Sequence, residues 1–220
     1  MEKKLSTLKE EILEAGRRVY SKGFVASTDG NISARIDDKR ILITPTGVCK
    51  GFMNPEDLII VDLDGKLIEG NGRPSSETGM HVGIYKDRSD VNSVCHTHPP
   101  YATAFAVAGI PLDKMALQEV IIVLGKIPIV EYATTGTEDL YKSISGYIPK
   151  FDALLLANHG AVTMGSDVLN AYYKMETLEH SAKIQFIAGQ MGNINTLNKD
   201  QIEKLMSVRE KFGIKKGLGM

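Results

Sequence analysis

The chain is 220 residues long, enough for one substantial domain with a real core and short for two. Hydrophobic residues make up 43% and charged residues 24%, a globular balance that excludes a disordered chain. With 26 Lys and Arg against 27 Asp and Glu, the formal charge is −1, so nothing global favours a nucleic acid or an anionic membrane as partner; any bound anion has to be held by local geometry.

Leu5, Leu8, Ile12, Ala15 and Val19 recur at steps of three and four, which predicts an amphipathic helix stopping near Gly23. Asn31–Ile36 and Arg40–Thr44 read as strands around Asp37-Asp38, and Leu58–Leu63 and Lys66–Glu69 as a second pair around Asp64-Gly65. Pro74-Ser75-Ser76-Glu77 reads as a helix entry with a hydroxyl available for capping and Glu77 in the first turn. Asn92–His98 is a short strand stopped by Pro99-Pro100, Ala102–Val107 is helical, Ile127–Val130 is a strand, and Thr137-Glu138-Asp139 opens another helix. Ala153–Ala157 suits a buried strand, Asp167–Gln190 is the longest helical pattern and Lys199–Lys211 a last, polar one. Interleaved strands and helices, with no repeat and no linker, predict one α/β (α+β) domain over 1–220, a central sheet flanked by helices.

Cys49 and Cys95 cannot build a disulfide framework and form no CxxC pair, which suits a reducing compartment and two small buried hydrophobes. Met1-Glu2-Lys3-Lys4 leads into a charged periodic segment rather than a signal-peptide core, and the longest strongly apolar run, Val120–Leu124, is far below the roughly 20 residues that span a bilayer. The expectation is a soluble cytoplasmic protein with no membrane and no nucleic-acid partner.

His96-Thr97-His98 ends a strand pattern, and strand side chains alternate, so His96 and His98 share a face while Cys95 and Thr97 point the other way. Such a pair can bite one metal ion, or simply close a strand end with polar groups. His159 follows the apolar run Ala153–Ala157 at a strand end, where α/β proteins often place their chemistry; it reads as a third ligand or as a hydrogen-bonded turn residue. Three imidazoles with an open fourth position describe a catalytic divalent site, zinc most naturally, with Mn2+ or Co2+ as alternatives. Glu77 and His81, four apart, share a helix face: Glu77 reads as a fourth ligand, a general base or a residue favouring the helix dipole, His81 as a supporting group. His180, near Glu176 and Glu179, reads as solvent-facing or packing.

Three stretches rich in small polar residues stand out: Thr28-Asp29-Gly30-Asn31, Thr44-Pro45-Thr46-Gly47 and Pro74-Ser75-Ser76. Each alone is an ordinary turn. Together their hydroxyls, amide and helix-start N–H groups can hold a phosphate where cations are scarce, and the absence of a GxxxxGK[ST] pattern argues against a nucleoside triphosphate.

In order along the chain, Thr28–Ser33, Ile43–Gly47, Pro74–Glu77, His96–His98, Tyr132–Thr137 and Asn158–Gly160 resemble the class II (metal-dependent) aldolase/adducin-head family, particularly its L-fuculose-1-phosphate aldolase branch. The resemblance implies a mixed, mainly antiparallel sheet with helices on both sides and a homotetramer with active sites at subunit interfaces. It implies zinc on His96, His98 and His159, and a sugar phosphate on Thr28, Gly30, Asn31, Thr46, Gly47, Ser75 and Ser76. It also implies an acid/base Glu77 that favours carbon–carbon cleavage over epimerisation, and a tail, about 199–220, that is mobile and closes over the site. Two departures stand out. Where the aldolases carry an interface tyrosine, Asp113–Val123 has none and aligns Glu119, beside Gln118; where they carry a tail tyrosine, this chain has Phe212. The mechanism expected is cleavage of a ketose 1-phosphate to dihydroxyacetone phosphate and a small aldehyde, with Glu119 of a neighbouring subunit as the second proton-transfer group. A sugar-phosphate epimerase or dehydratase, a non-catalytic interaction domain and an unrelated zinc hydrolase are the rival readings.

Overall fold

The computed structural model describes residues 2–211. Helix α1 (Glu2–Ser21) leads into strands β1 (Asn31–Arg35) and β2 (Arg40–Ile43), a short 3-10 turn at Lys50–Phe52, β3 (Ile59–Asp62) and β4 (Leu67–Glu69). Then come α2 (Thr78–Asp87), β5 (Ser93–Thr97), α3 (Pro100–Ala108), α4 (Gln118–Val123), β6 (Ile129–Val130) and α5 (Glu138–Ser145). Strands β7 (Ala153–Leu156) and β8 (Gly160–Gly165) precede the long α6 (Val168–Gln190) and the last helix, α7 (Lys199–Lys211). Eight strands make one sheet in the order β4-β3-β2-β1-β5-β8-β7-β6, with antiparallel neighbours throughout except the parallel β6–β7 pair. The class is α/β with a mixed, mainly antiparallel sheet, as expected.

Strict alternation builds a core on each face of this sheet. Ile32, Ala34, Leu42, Cys95 and Leu155 point towards α1, α3 and α6, meeting Ile12, Val19, Ala102, Tyr172 and Leu178. Ile41, Ile43, Val94, Leu154 and Val162 point the other way, meeting Met80, Ile84 and Tyr85 of α2 and Leu140 and Ile144 of α5. Full burial of each large aliphatic side chain contributes roughly 1.5–3 kcal/mol relative to exposure, so register is strongly fixed. Helix starts follow their caps: Thr137 Oγ1 accepts from Asp139 N at 3.3 Å, and Asp167 Oδ1 from Asn170 N at 2.8 Å.

Two elements are absent from the sequence reading. Gly160–Gly165 is a wholly buried strand between β5 and β7, although its flanking glycines look like turn residues. Gly160 is needed there because a Cβ would lie 2.6 Å from Thr97 O and from the His98 ring. Gln118–Val123 forms α4, on which α7 packs, with Arg209 buried and donating to Ile122 O at 2.6 Å. Phe212 and the residues after it lie outside the described residues. Cys95 is buried in the core, but Cys49 is only half-buried. Among the described residues, no helix is long and apolar enough to cross a membrane.

Candidate active site

The site forms on the α2 side of the sheet, where β1 and β5 run side by side. Asn31 pairs with His96 and Ser33 with Val94, so Asn31, Ser33 and His96 all project towards α2. His98 leaves the strand end on the same side, its N–H bonded to Phe24 O at 2.9 Å, and Glu179 of α6 accepts from Tyr101 N and Ala102 N, pinning the chain that follows it. His159 comes from the tight turn between β7 and β8, where Asn158 adopts φ 57°. One nitrogen from each of His96, His98 and His159 lies within 4.8 Å of the other two, and the ring centroids are 4.7–5.0 Å apart.

Glu77 occupies the cap position of α2, yet its carboxylate makes no cap hydrogen bond. It turns into the site instead: Oε2 accepts from Asn31 Nδ2 at 2.6 Å and lies 3.2 Å from His96 Nε2, while Oε1 lies 3.0 Å from His159 Nε2. That last approach lacks hydrogen-bond geometry, leaving Oε1 buried without a donor. The expected hydroxyl cap is also redeployed, since Ser75 Oγ accepts from Glu77 N at 3.2 Å and from Asn31 Nδ2 at 3.3 Å.

Burial works to raise the Glu77 carboxyl, but the charge of His96, the close approach of His159 and the Asn31 hydrogen bond outweigh it and hold the group well below its ordinary value. Burial lowers His96, yet the Glu77 carboxylate more than compensates and raises it. Burial and the neighbouring imidazoles push His98 down to about 3, so its imidazole is unprotonated at neutral pH. His96 Nδ1–H donates to Ala161 O at 2.9 Å, which fixes the tautomer that leaves Nε2 free to coordinate. His96 Nε2 and His98 Nε2 face each other at 3.2 Å, two nitrogens that a cation between them would satisfy together. Converging imidazoles with an oriented outer partner and an undonated carboxylate oxygen fit a divalent metal centre.

Behind Asn31 lies a buried relay. His81, fully buried, stays neutral with burial lowering it to about 3. Its Nε2–H donates to Asn31 Oδ1, so Nδ1 accepts from Ser33 Oγ–H at 2.7 Å, and Ser33 Oγ in turn accepts from Tyr85 O–H at 2.8 Å. Each bond fixes the next. The relay ends on the Asn31 amide that donates to Glu77.

The three polar stretches meet. Asn31–Ser75 links the first to the third, and Thr46 N donates to Arg73 O at 3.0 Å, tying the second to the residue just before the third. Thr28, Thr46, Gly47 and Ser76 line the exposed rim, and Gly136 stands against Ser76. Gly30 takes φ 72° and has no room for a Cβ, which would sit 2.8 Å from His96 O. A lysine also lies beside the first two stretches: Lys50, 1% exposed, donates to Thr28 O at 2.8 Å and Val48 O at 2.7 Å. Its sequence context carries no signal for this. Glu119 stands apart on α4, lining a cleft with Tyr101, Tyr173, Glu179 and the exposed His180, and among the described residues no hydrogen bond or ion pair joins it to His96, His98 or His159.

Fold and site together describe an α/β protein whose three converging histidines could hold a metal ion. The chain belongs to the family described as the class II aldolase and adducin N-terminal domain, whose model matches residues 10–186. A Methanococcus maripaludis protein named L-fuculose phosphate aldolase is 39% identical over 181 residues, 82% of this chain and 97% of the relative. A Haemophilus influenzae protein named 3-oxo-tetronate 4-phosphate decarboxylase is 34% identical over 81% of this chain and 86% of its own length. Among solved structures, one named L-fuculose 1-phosphate aldolase superposes with a TM-score of 0.86 at 31% identity, covering 94% of this chain and 97% of the other.

Proposed function

We propose that the protein is a cytoplasmic aldolase of carbohydrate metabolism that reversibly cleaves a ketose 1-phosphate, of the L-fuculose 1-phosphate type, to dihydroxyacetone phosphate and a small aldehyde. The observation that carries this reading is the Glu77 carboxylate, set between His96 and His159 on one side and Asn31 of the anion cradle on the other. His96, His98 and His159 would hold Zn2+, with Mn2+ or Co2+ able to substitute, and Glu77 is available as a fourth ligand before substrate arrives. The cation supplies Lewis acidity that stabilises negative charge developing on the ketose oxygens.

Thr28, Gly30, Asn31, Thr46, Gly47, Ser75 and Ser76 bind the phosphate through hydroxyls, amides and the start of α2. The partner subunit's Glu119, brought across an interface of a homotetramer, takes the proton of the C4 hydroxyl. As the C3–C4 bond breaks, its electron pair stays on C3, and Glu77 returns a proton to that carbon. In the condensation direction Glu77 removes it. The near-neutral chain and the relatives named for sugar-phosphate substrates support a single phosphorylated sugar rather than a polyanion.

The test is a product assay over a panel of ketose 1-phosphates, ribulose 5-phosphate and a 3-oxo-tetronate 4-phosphate, with and without chelator. Chelator-sensitive release of dihydroxyacetone phosphate is expected. Epimerised pentose phosphate or released carbon dioxide as the dominant product overturns the reading.

A further inference from the structure

Lys50 has no part in the chemistry above, yet its ammonium sits beneath the cradle. Its two carbonyl partners lie on different loops: Thr28 on the segment that continues to Gly30 and Asn31, and Val48 directly after Thr46 and Gly47. An ammonium has three protons, and no described residue accepts the third. Burial lowers Lys50 to about 8, outweighing Cys49, Asp29 and Glu77, which act on it through space rather than through hydrogen bonds, and still leaves it charged at neutral pH. Burying a cation costs several kcal/mol, and an apolar side chain of similar volume would fill the space at less cost. A charge kept at that cost, tied to both loops, calls for an anion nearby.

We propose that Lys50 is a positioning residue for the phosphate monoester, tying the Thr28–Asn31 and Thr46–Gly47 loops into one cradle and holding a fixed positive charge under it. This rests on the phosphate-binding reading of those loops. The cation meets the phosphate field from behind while the loops' own groups make the direct contacts. The three histidines are carried by other elements, the end of β5 and the β7–β8 turn, and Glu77 touches Lys50 only through space. Lys50 therefore sets affinity for the phosphorylated end and leaves the chemical step alone.

The experiment compares the zinc-loaded wild type with Lys50→Met and Lys50→Arg. Lys50→Met should raise KM for the ketose phosphate and the inhibition constant of inorganic phosphate about 10- to 100-fold, with kcat within about threefold and zinc per chain unchanged. Lys50→Arg should recover part of the phosphate affinity. In the wild type, which needs no variant to fold, adding inorganic phosphate should move the Lys50 Nζ resonance in a nitrogen-15 spectrum. Phosphate affinity within twofold of wild type in Lys50→Met, or an unmoved Nζ resonance in a wild type that binds phosphate, overturns the role of Lys50 alone. A wild type that binds no phosphate overturns both this role and the phosphate reading beneath it.

Discussion

Replacing Glu77 with Gln keeps the shape of the side chain and removes its charge and basicity. The geometry dictates how the amide must sit. Asn31 Nδ2 donates to Oε2 at 2.6 Å, so the Gln oxygen is held at that position and its NH2 is forced to the position of Oε1, 3.0 Å from His159 Nε2. A proton acceptor becomes a donor pointing into the centre. General acid–base groups contribute about 10²–10⁴ in rate, which is about 2.7–5.5 kcal/mol of barrier. The assay is hydrogen exchange on dihydroxyacetone phosphate in heavy water, followed by proton NMR, with zinc per chain measured alongside. Exchange should fall by at least about 100-fold, with zinc retained on the three histidines and competition by inorganic phosphate unchanged. Exchange within about threefold of wild type would refute the assignment of Glu77 as the group that moves this proton.

Ser33→Ala removes the hydroxyl that joins His81 to Tyr85, leaving two buried polar groups unpaired. A loss of about 1–3 kcal/mol in urea unfolding is expected, and no loss would show that the relay is already satisfied without it. Asp152, buried, pairs with Arg88 at 2.8 Å and Lys174 at 2.7 Å. Asp152→Ala strands Lys174 with only Met164 O while Arg88 keeps Asp90, and should cost about 3–5 kcal/mol; a cost below about 1 kcal/mol contradicts this. His81, lowered by burial to about 3, stays neutral in the fold, whereas the unfolded imidazole titrates near 6.5. The unfolded chain thus binds the extra proton between these values, and stability falls as pH drops through that window. A denaturation series in the metal-free protein should show the fall, and His81→Asn should reduce it, leaving the part that His98, lowered to the same value, contributes.

Most of this architecture can be read from periodicity and caps. The three-four spacing of α1, the caps Thr137 and Asp167, and the alternation that puts His96 and His98 on one face all reflect local chemistry that tertiary context left in place. β8 escaped because its function-side end must be glycine to let His98 close in, and glycine reads as a turn. Helix α4 escaped because its Val120–Val123 run is β-branched, and packing against α7 overrides that preference. Lys50 escaped for a different reason: lysines are usually exposed, and only the folded loops show this one buried beneath them. The histidines and Glu77 are visible as candidates in isolation, but their convergence depends on the order β1-β5-β8-β7, which brings together segments more than a hundred residues apart.

The pairing of Asn31 with His96 makes one antiparallel rung into a ruler. One end of the rung carries the Asn31 amide of the proposed anion cradle, the other His96 of the proposed metal site, and hydrogen bonds of a buried sheet fix the distance between them. A slip by one residue would turn both ends to the opposite face at once. On the proposed reading, a substrate is gauged first between its anionic end and its coordinating oxygens, at a length the backbone sets. Whatever lies beyond those oxygens is met by exposed loops, where sequence can change without disturbing the rung. On that reading, substitutions in those loops would change the remainder of the molecule that is accepted while the measuring frame stays as it is.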